Sequence, residues 1–238
     1  MKLGKMKLGE MKLGEMKLVS RNKNKVLASG FTLIELMVSV AILTVVVGVV
    51  VEGLTKLQQR NTTEAVKVDL TQESREFLDQ IVSDIHQAGY PSLKMFDPAT
   101  KPLGVNDPGV SQGFVNVTPS SLQFEADVDG SGTVSEVFIQ LSPLNGPCPC
   151  IIQRGTISKV SWQGGTPPFY YTEVNNVNNT VIFQGYDNAG NNVPLNGAPA
   201  NNLAAIEITL SVKSAILDPS GTYPTISMST AAKIANLN

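Results

Sequence analysis

From Phe31 to Val51 the chain reads FTLIELMVSVAILTVVVGVVV, an apolar run interrupted by one acid, Glu35. As a helix these 21 residues would be about 31 Å long, enough to cross a bilayer's hydrocarbon core. A carboxylate at membrane depth costs about 2.5–3.5 kcal/mol on insertion scales, so its presence marks a functional site. A cleavable secretory signal would need a small-x-small site after the run, and Glu52-Gly53-Leu54-Thr55-Lys56 follows instead. A plain anchor accounts for the length but gives Glu35 no role.

Charge is distributed unevenly around this run. Of eighteen Lys and Arg, eight fall in residues 1–30, against two of the twenty acids. Residues 31–238 therefore hold ten bases and eighteen acids, a formal charge of -8. A basic segment before an apolar span predicts a cytoplasmic N-terminus with the remainder outside. An acidic exported portion offers no electrostatic footprint for nucleic acid. The leader itself opens with a five-residue near-repeat, MKLGK MKLGE MKLGE MKLVS. That period suits neither helix nor strand, and the segment is left out of the fold. Met16 is the expected true start, giving the short leader MKLVSRNKNKVLASG.

The string Gly30-Phe31-Thr32-Leu33-Ile34-Glu35, behind a basic leader and ahead of an apolar run, resembles the class III signal of type IV pilins and type II secretion pseudopilins. The resemblance implies that a prepilin peptidase cuts after Gly30 and N-methylates Phe31. It implies that Glu35 meets the N-terminal amine of a neighbouring subunit during assembly. That amine, with a pKa of about 8, is largely cationic at neutral pH, and an opposite charge offsets desolvation best where water is scarce. Thr32, Ser39 and Thr44 are read as hydroxyls bonded back to the helix's own carbonyls.

Helical spacing continues past the run. Leu70, Phe77, Leu78, Ile81, Val82, Ile85 and Ala88 make one apolar stripe, with Glu73, Arg75, Glu76, Asp79, Asp84 and His86 assigned to the opposite face. A helix over 31–88 is expected, ended by Gly89-Tyr90-Pro91, with Gly48 and Gly53 as weak points. The segment from Arg75 to Tyr90 resembles W-type minor pilins and J-type minor pseudopilins, except that His86 stands where Arg is usual.

Beyond the helix the chain turns β-rich. Strands are predicted at 113–117, 121–128, 134–141, 151–154, 157–162, 169–173, 180–184, 203–213 and 225–234, several alternating with period two. Asn, Gly and Pro clusters at 175–179 and 191–202 predict long turns. The expected class is α+β: a long N-terminal helix, membrane-spanning in its first half, packed on an antiparallel β-rich head. The expected divisions are a leader at 1–30, a membrane and filament-core helix at 31–51, the helix's second half at 52–90, and the head at 91–238.

Three smaller signals remain in the sequence. Asp127-Val-Asp129-Gly130-Ser131-Gly132-Thr133 invites calcium, yet the twelfth position of an EF-hand loop from Asp127 is Phe138 where a bidentate acid is needed. A tight turn built on Asp and Gly is favoured, leaving Asp127 and Asp129 as weak calcium candidates. Cys148 and Cys150 flank Pro149 as a local disulfide or two free thiols. No P-loop or dinucleotide fingerprint occurs, and no nucleophile motif accompanies the single histidine. His86 reads as a solvated or capping side chain. No cofactor or metal is expected.

The resemblance thus implies a non-enzymatic minor pilin, held in the inner membrane with its head periplasmic, then drawn into a type IV pilus or its initiation complex. Its expected partners are the prepilin peptidase, other pilins through helix packing, and the inner-membrane assembly platform. A J-type pseudopilin of a type II secretion pseudopilus is the alternative within the class. A tip module binding surfaces or DNA is the alternative outside it.

Overall fold

The computed structural model describes residues 30–99, 103–144, 146–198 and 202–235. The basic leader and Met16 lie outside them. Two compact units divide between Val50 and Val51. In the first, the described residues are 30–50, of which those from Leu33 on begin helix α1 (Leu33–Gln87), and every one is exposed. One helix among the described residues, α1, is long and apolar enough to cross a membrane.

In the second unit α1 buries Leu70, Ser74, Phe77, Leu78, Ile81, Asp84 and Ile85. This is the predicted stripe, with one correction. Asp84 sits on the buried side, because positions 77, 81, 84, 85 and 88 share one helical face whatever their polarity. The helix ends as expected: Gly89 adopts φ 83°, a left-handed conformation that costs glycine little. Its amide donates to Glu125 O at 3.0 Å, fastening the helix end to the sheet.

A 3-10 turn (Leu93–Met95) precedes nine strands: β1 (Phe114–Thr118), β2 (Ser121–Ala126), β3 (Ser135–Ser142), β4 (Cys150–Ser158), β5 (Phe169–Val177), β6 (Phe183–Tyr186), β7 (Asn192–Val193), β8 (Ala205–Lys213) and β9 (Thr225–Lys233). All pairings are antiparallel, in the order β1-β2-β3-β4-β5-β8-β6-β7, with β9 added to β8. The core lies where α1's stripe meets inward residues of the sheet, among them Leu122, Phe124, Val137, Ile139, Ile152, Val174, Ile206, Ile208 and Leu210. The α+β class is the one expected.

Several boundaries differ. The two strands expected at 151–154 and 157–162 are replaced by β4 and a short helix, α2 (Lys159–Gln163). Ser158 caps α2, its hydroxyl accepting from the Ser161 amide at 3.3 Å. This turn swings Lys159 inward, and the lysine is wholly buried. The turn expected at 175–179 is partly strand, since β5 runs on to Val177 with Asn176 at φ 54°. The loop expected at 191–202 contains β7, and the strand expected from 180 begins at Phe183.

Candidate functional site

The junction at Gly30 is built from the backbone outward. Helix α1 begins at Leu33, so its first amides have no carbonyl one turn back to bond. Thr32 and Glu35 supply the missing partners reciprocally. Glu35 N donates to Thr32 Oγ1 at 3.3 Å, and Thr32 N donates to Glu35 Oε2 at 3.2 Å. Thr32 Oγ1 donates to the same carboxylate oxygen at 3.2 Å. Thr-x-x-Glu is a capping box, with the acid's charge in the first turn, where the helix dipole favours it.

Thr32 therefore corrects the expectation that it bonds back along the helix. Ser39 and Thr44 do bond back, to Glu35 O at 2.7 Å and Val40 O at 2.8 Å. Gly30 and Phe31 precede the box outside regular secondary structure and exposed, with Phe31 at 83% exposure. A Cβ built on Gly30 would meet nothing within 4 Å, so its surroundings are open. Among the described residues, then, this junction lies outside any helix and no side chain packs over Gly30. The box starts one residue beyond the terminus such a cut would create.

Residues 27–51 match the prokaryotic N-terminal methylation motif. This is the class III prepilin signal of type IV pilins and pseudopilins, and it marks the chain as pilin-like or pseudopilin-like. Such a signal fits anchoring by the apolar helix in an inner membrane and points to a structural protein. No curated protein and no solved structure matches the chain.

Elsewhere the structure places the remaining candidates apart from this junction in sequence. Cys148 and Cys150 are bonded to each other across Pro149. Asp127 and Asp129 lie in the β2–β3 loop, where they accept from the loop's own amides: Gly132 N to Asp127 at 2.9 Å and Ser131 N to Asp129 at 3.0 Å. Hydrogen bonds from Ser131 hold the Asp129 carboxyl below its ordinary range. Phe138 belongs to β3, and no group of three His, Cys, Asp or Glu that could hold a metal occurs among the described residues. His86 is exposed in the last turn of α1.

Sequence reasoning missed the head's buried charges. Lys159 Nζ donates to Val105 O at 2.6 Å, Val110 O at 2.8 Å and Glu125 Oε2 at 2.7 Å, using all three of its protons. Glu125 also accepts from Gln112 N at 2.7 Å, so the pair ties the 105–112 loop to β2 and α2. Glu136 pairs opposite Glu125 across β2 and β3 and accepts from Gln123 Nε2 at 3.1 Å. Burial raises its pKa from 4.5 to about 7, against the opposing bond from Gln123, and the neighbouring Glu125 charge adds to the rise. On the helix side of the sheet, Arg154 Nε donates to Asp84 at 2.9 Å and Gln80 Nε2 donates to it at 2.7 Å. These side chains are taken up by one another and by the backbone, so they act as fasteners.

Proposed function

We propose that this chain is a minor pilin, cut after Gly30, N-methylated on Phe31 and assembled as a structural subunit of a type IV pilus or its initiation complex. The observation that carries this reading is the methylation motif at residues 27–51, followed by an exposed apolar helix with one acid in its first turn. Cleavage would give Phe31 a free amine beside the capping box. Glu35 would then exchange its intramolecular donors for the terminal amine of a neighbouring subunit. The two roles suit one residue, because the box keeps the carboxylate satisfied until a cation arrives. The prepilin peptidase, other pilins and the inner-membrane platform are the partners this requires.

Mass spectrometry of the mature N-terminus tests the processing. N-methyl-phenylalanine at Phe31 is expected, together with an uncut precursor in a peptidase-null strain; a mature terminus elsewhere would refute it. For assembly, Glu35→Ala should leave cleavage intact and remove the chain from sheared filaments. Recovery in pili distinguishes a pilus subunit from a pseudopilin, which would instead fractionate with secretion components.

A further inference from the structure

Strands β3, β4 and β5 turn one face to the core and leave the other partly open to solvent. Val137, Ile139, Leu141 and Ile152 belong to the core, so the residues that alternate with them point away from it. Strand pairing sets those residues in two rows. Phe138 lies opposite Gly155, which lies opposite Tyr170; Gln140 lies opposite Gln153, which lies opposite Thr172. A Cβ on Gly155 would stand 3.0 Å from both Cδ1 and Cε1 of Tyr170, so the tyrosine ring fills the space a side chain would take. Phe138 meets Tyr170 and Trp162 edge to face, with centroids 6.3 and 4.9 Å away, which joins three rings into one cluster. Phe138 is buried within it, while Trp162 keeps 37% of its surface exposed.

The polar groups beside the rings are neutral and unspent. Among the described residues, the side chains of Gln140, Gln153 and Thr172 and the Tyr170 hydroxyl have no hydrogen-bond partner in the protein. All four residues are half-buried or exposed. The carboxylates of the next row, Glu125 and Glu136, are each 3% exposed and so are withheld from this surface.

Size and charge select the occupant. Strands lie about 4.8 Å apart, and residues sharing a face lie about 6.8 Å apart along a strand. Gln140, Thr172 and Tyr170, with the indole included, therefore bound an area on the order of 100 Å². A stable protein interface needs about 800 Å² on each partner, so a second protein is poorly matched. The formal charge of -8 over residues 31–238 disfavours a polyanion. A pyranose ring matches: its C–H face packs on an aromatic ring, and its hydroxyls both donate and accept, as carboxamides do. Aromatic walls with a few convergent polar groups are the usual composition of a small-ligand site.

We propose that this face is a glycan subsite, which holds a hexose unit of a neutral polysaccharide by stacking on Tyr170 and Trp162 and hydrogen bonding to Gln140, Gln153 and Thr172. This is independent of the processing reading.

Trp162 is the chain's only tryptophan, so its fluorescence reports on this face directly. The test titrates the full chain, in a detergent without a sugar headgroup, with cellohexaose, maltohexaose and hexagalacturonate. A saturable change with a neutral sugar is expected, and the two neutral sugars distinguish a ribbon-like glycan from a coiled one. Tyr170→Ala should weaken binding about tenfold and Gln153→Ala about fivefold. Gln153 has no side-chain bond in the fold to lose, so its variant remains a test even if Tyr170→Ala does not fold. Phe169→Ala removes an exposed ring from the opposite face of β5 and should change nothing. No saturable change with either neutral sugar would overturn the proposal, and so would equal affinity for hexagalacturonate. Weakening by Phe169→Ala as large as that by Gln153→Ala would mean general aromatic adhesion and overturn it too. So would concentration-dependent self-association that Gln153→Ala abolishes, which would assign the face to a second copy.

Discussion

The start of α1 and the head obey opposite rules of burial. Around Glu35 the apolar side chains are the exposed ones, Leu33 at 78% and Val45 at 68%, and the charge is satisfied within its own helical turn. In the head the charges are the buried ones. Lys159, Glu125, Glu136 and Asp84 are all at most 4% exposed, and each has a side-chain partner from another element of the fold. A charge kept by its own backbone survives independently of tertiary structure and is free to change partners. A charge kept by tertiary contacts cannot leave without opening the fold. The first arrangement suits an assembly contact, and the second suits a fastener.

Breaking the tightest fastener should show the largest difference. Lys159→Met leaves the Glu125 carboxylate buried with only the Gln112 amide, and should cost about 3–5 kcal/mol in urea unfolding of the full chain in detergent. A loss below about 1 kcal/mol would mean that the 105–112 loop readily admits water, and the contrast with Glu35 would fail. Asp84→Ala comes next, at about 2 kcal/mol, because Arg154 is still partly exposed and its charge can reach solvent.

Glu136 sharpens the comparison through pH. Its folded pKa lies above its unfolded one, so the folded state holds this proton more tightly. Its burden on stability is absent below about 4.5, grows as pH rises through the interval to about 7, and is complete above that. Glu136→Gln keeps an acceptor for Gln123 and removes the charge. The variant should be more stable than the parent at pH 8 by on the order of 1–2 kcal/mol and equal to it at pH 4. Identical pH profiles for the two proteins would refute the assignment.

How much of this was readable depends on whether the deciding contact is local. The apolar run, the stripe through Phe77, Ile81 and Ile85, and the stop at Gly89 are periodicities and caps, and the sequence displays them directly. The capping box was equally local; Thr32-x-x-Glu35 before an apolar run is its signature, obscured by the stronger membrane signal. Two hairpins share a further local signature, Asp-x-x-Gly. Asp187 and Asp218 each accept from the amides two and four residues on, at Ala189 and Asn191 and at Ser220 and Thr222. Those bonds, led by the Ser220 hydroxyl, pull Asp218 down to about 2.

Asp84 was assigned by its chemistry when its position on the stripe was the better guide. Lys159 had no such sign. Its acceptors lie 34 to 54 residues away, and Val-Ser-Trp after it alternates like a strand until Ser158 caps a helix.

The smallest expected effect lies at the helix start, and it separates the two jobs assigned to Glu35. Thr32→Ala removes the hydroxyl that accepts from the Glu35 amide while leaving the carboxylate and the Thr32 position's own amide in place. Loss of such a cap costs about 1 kcal/mol, so exchange of the amides at Leu33 to Glu35 in micelles should quicken roughly fivefold. The head should not register the change, since none of its fasteners involves this turn. Glu35→Gln can still accept from the amide of residue 32 and should exchange nearly as slowly as the parent, yet it carries no charge to offer a neighbouring amine. If filament incorporation fails in Glu35→Gln and persists in Thr32→Ala, charge is the property assembly requires. If incorporation fails equally in both, assembly depends on an intact first turn, and the distinction drawn between a freely exchanging acid and a fixed one falls.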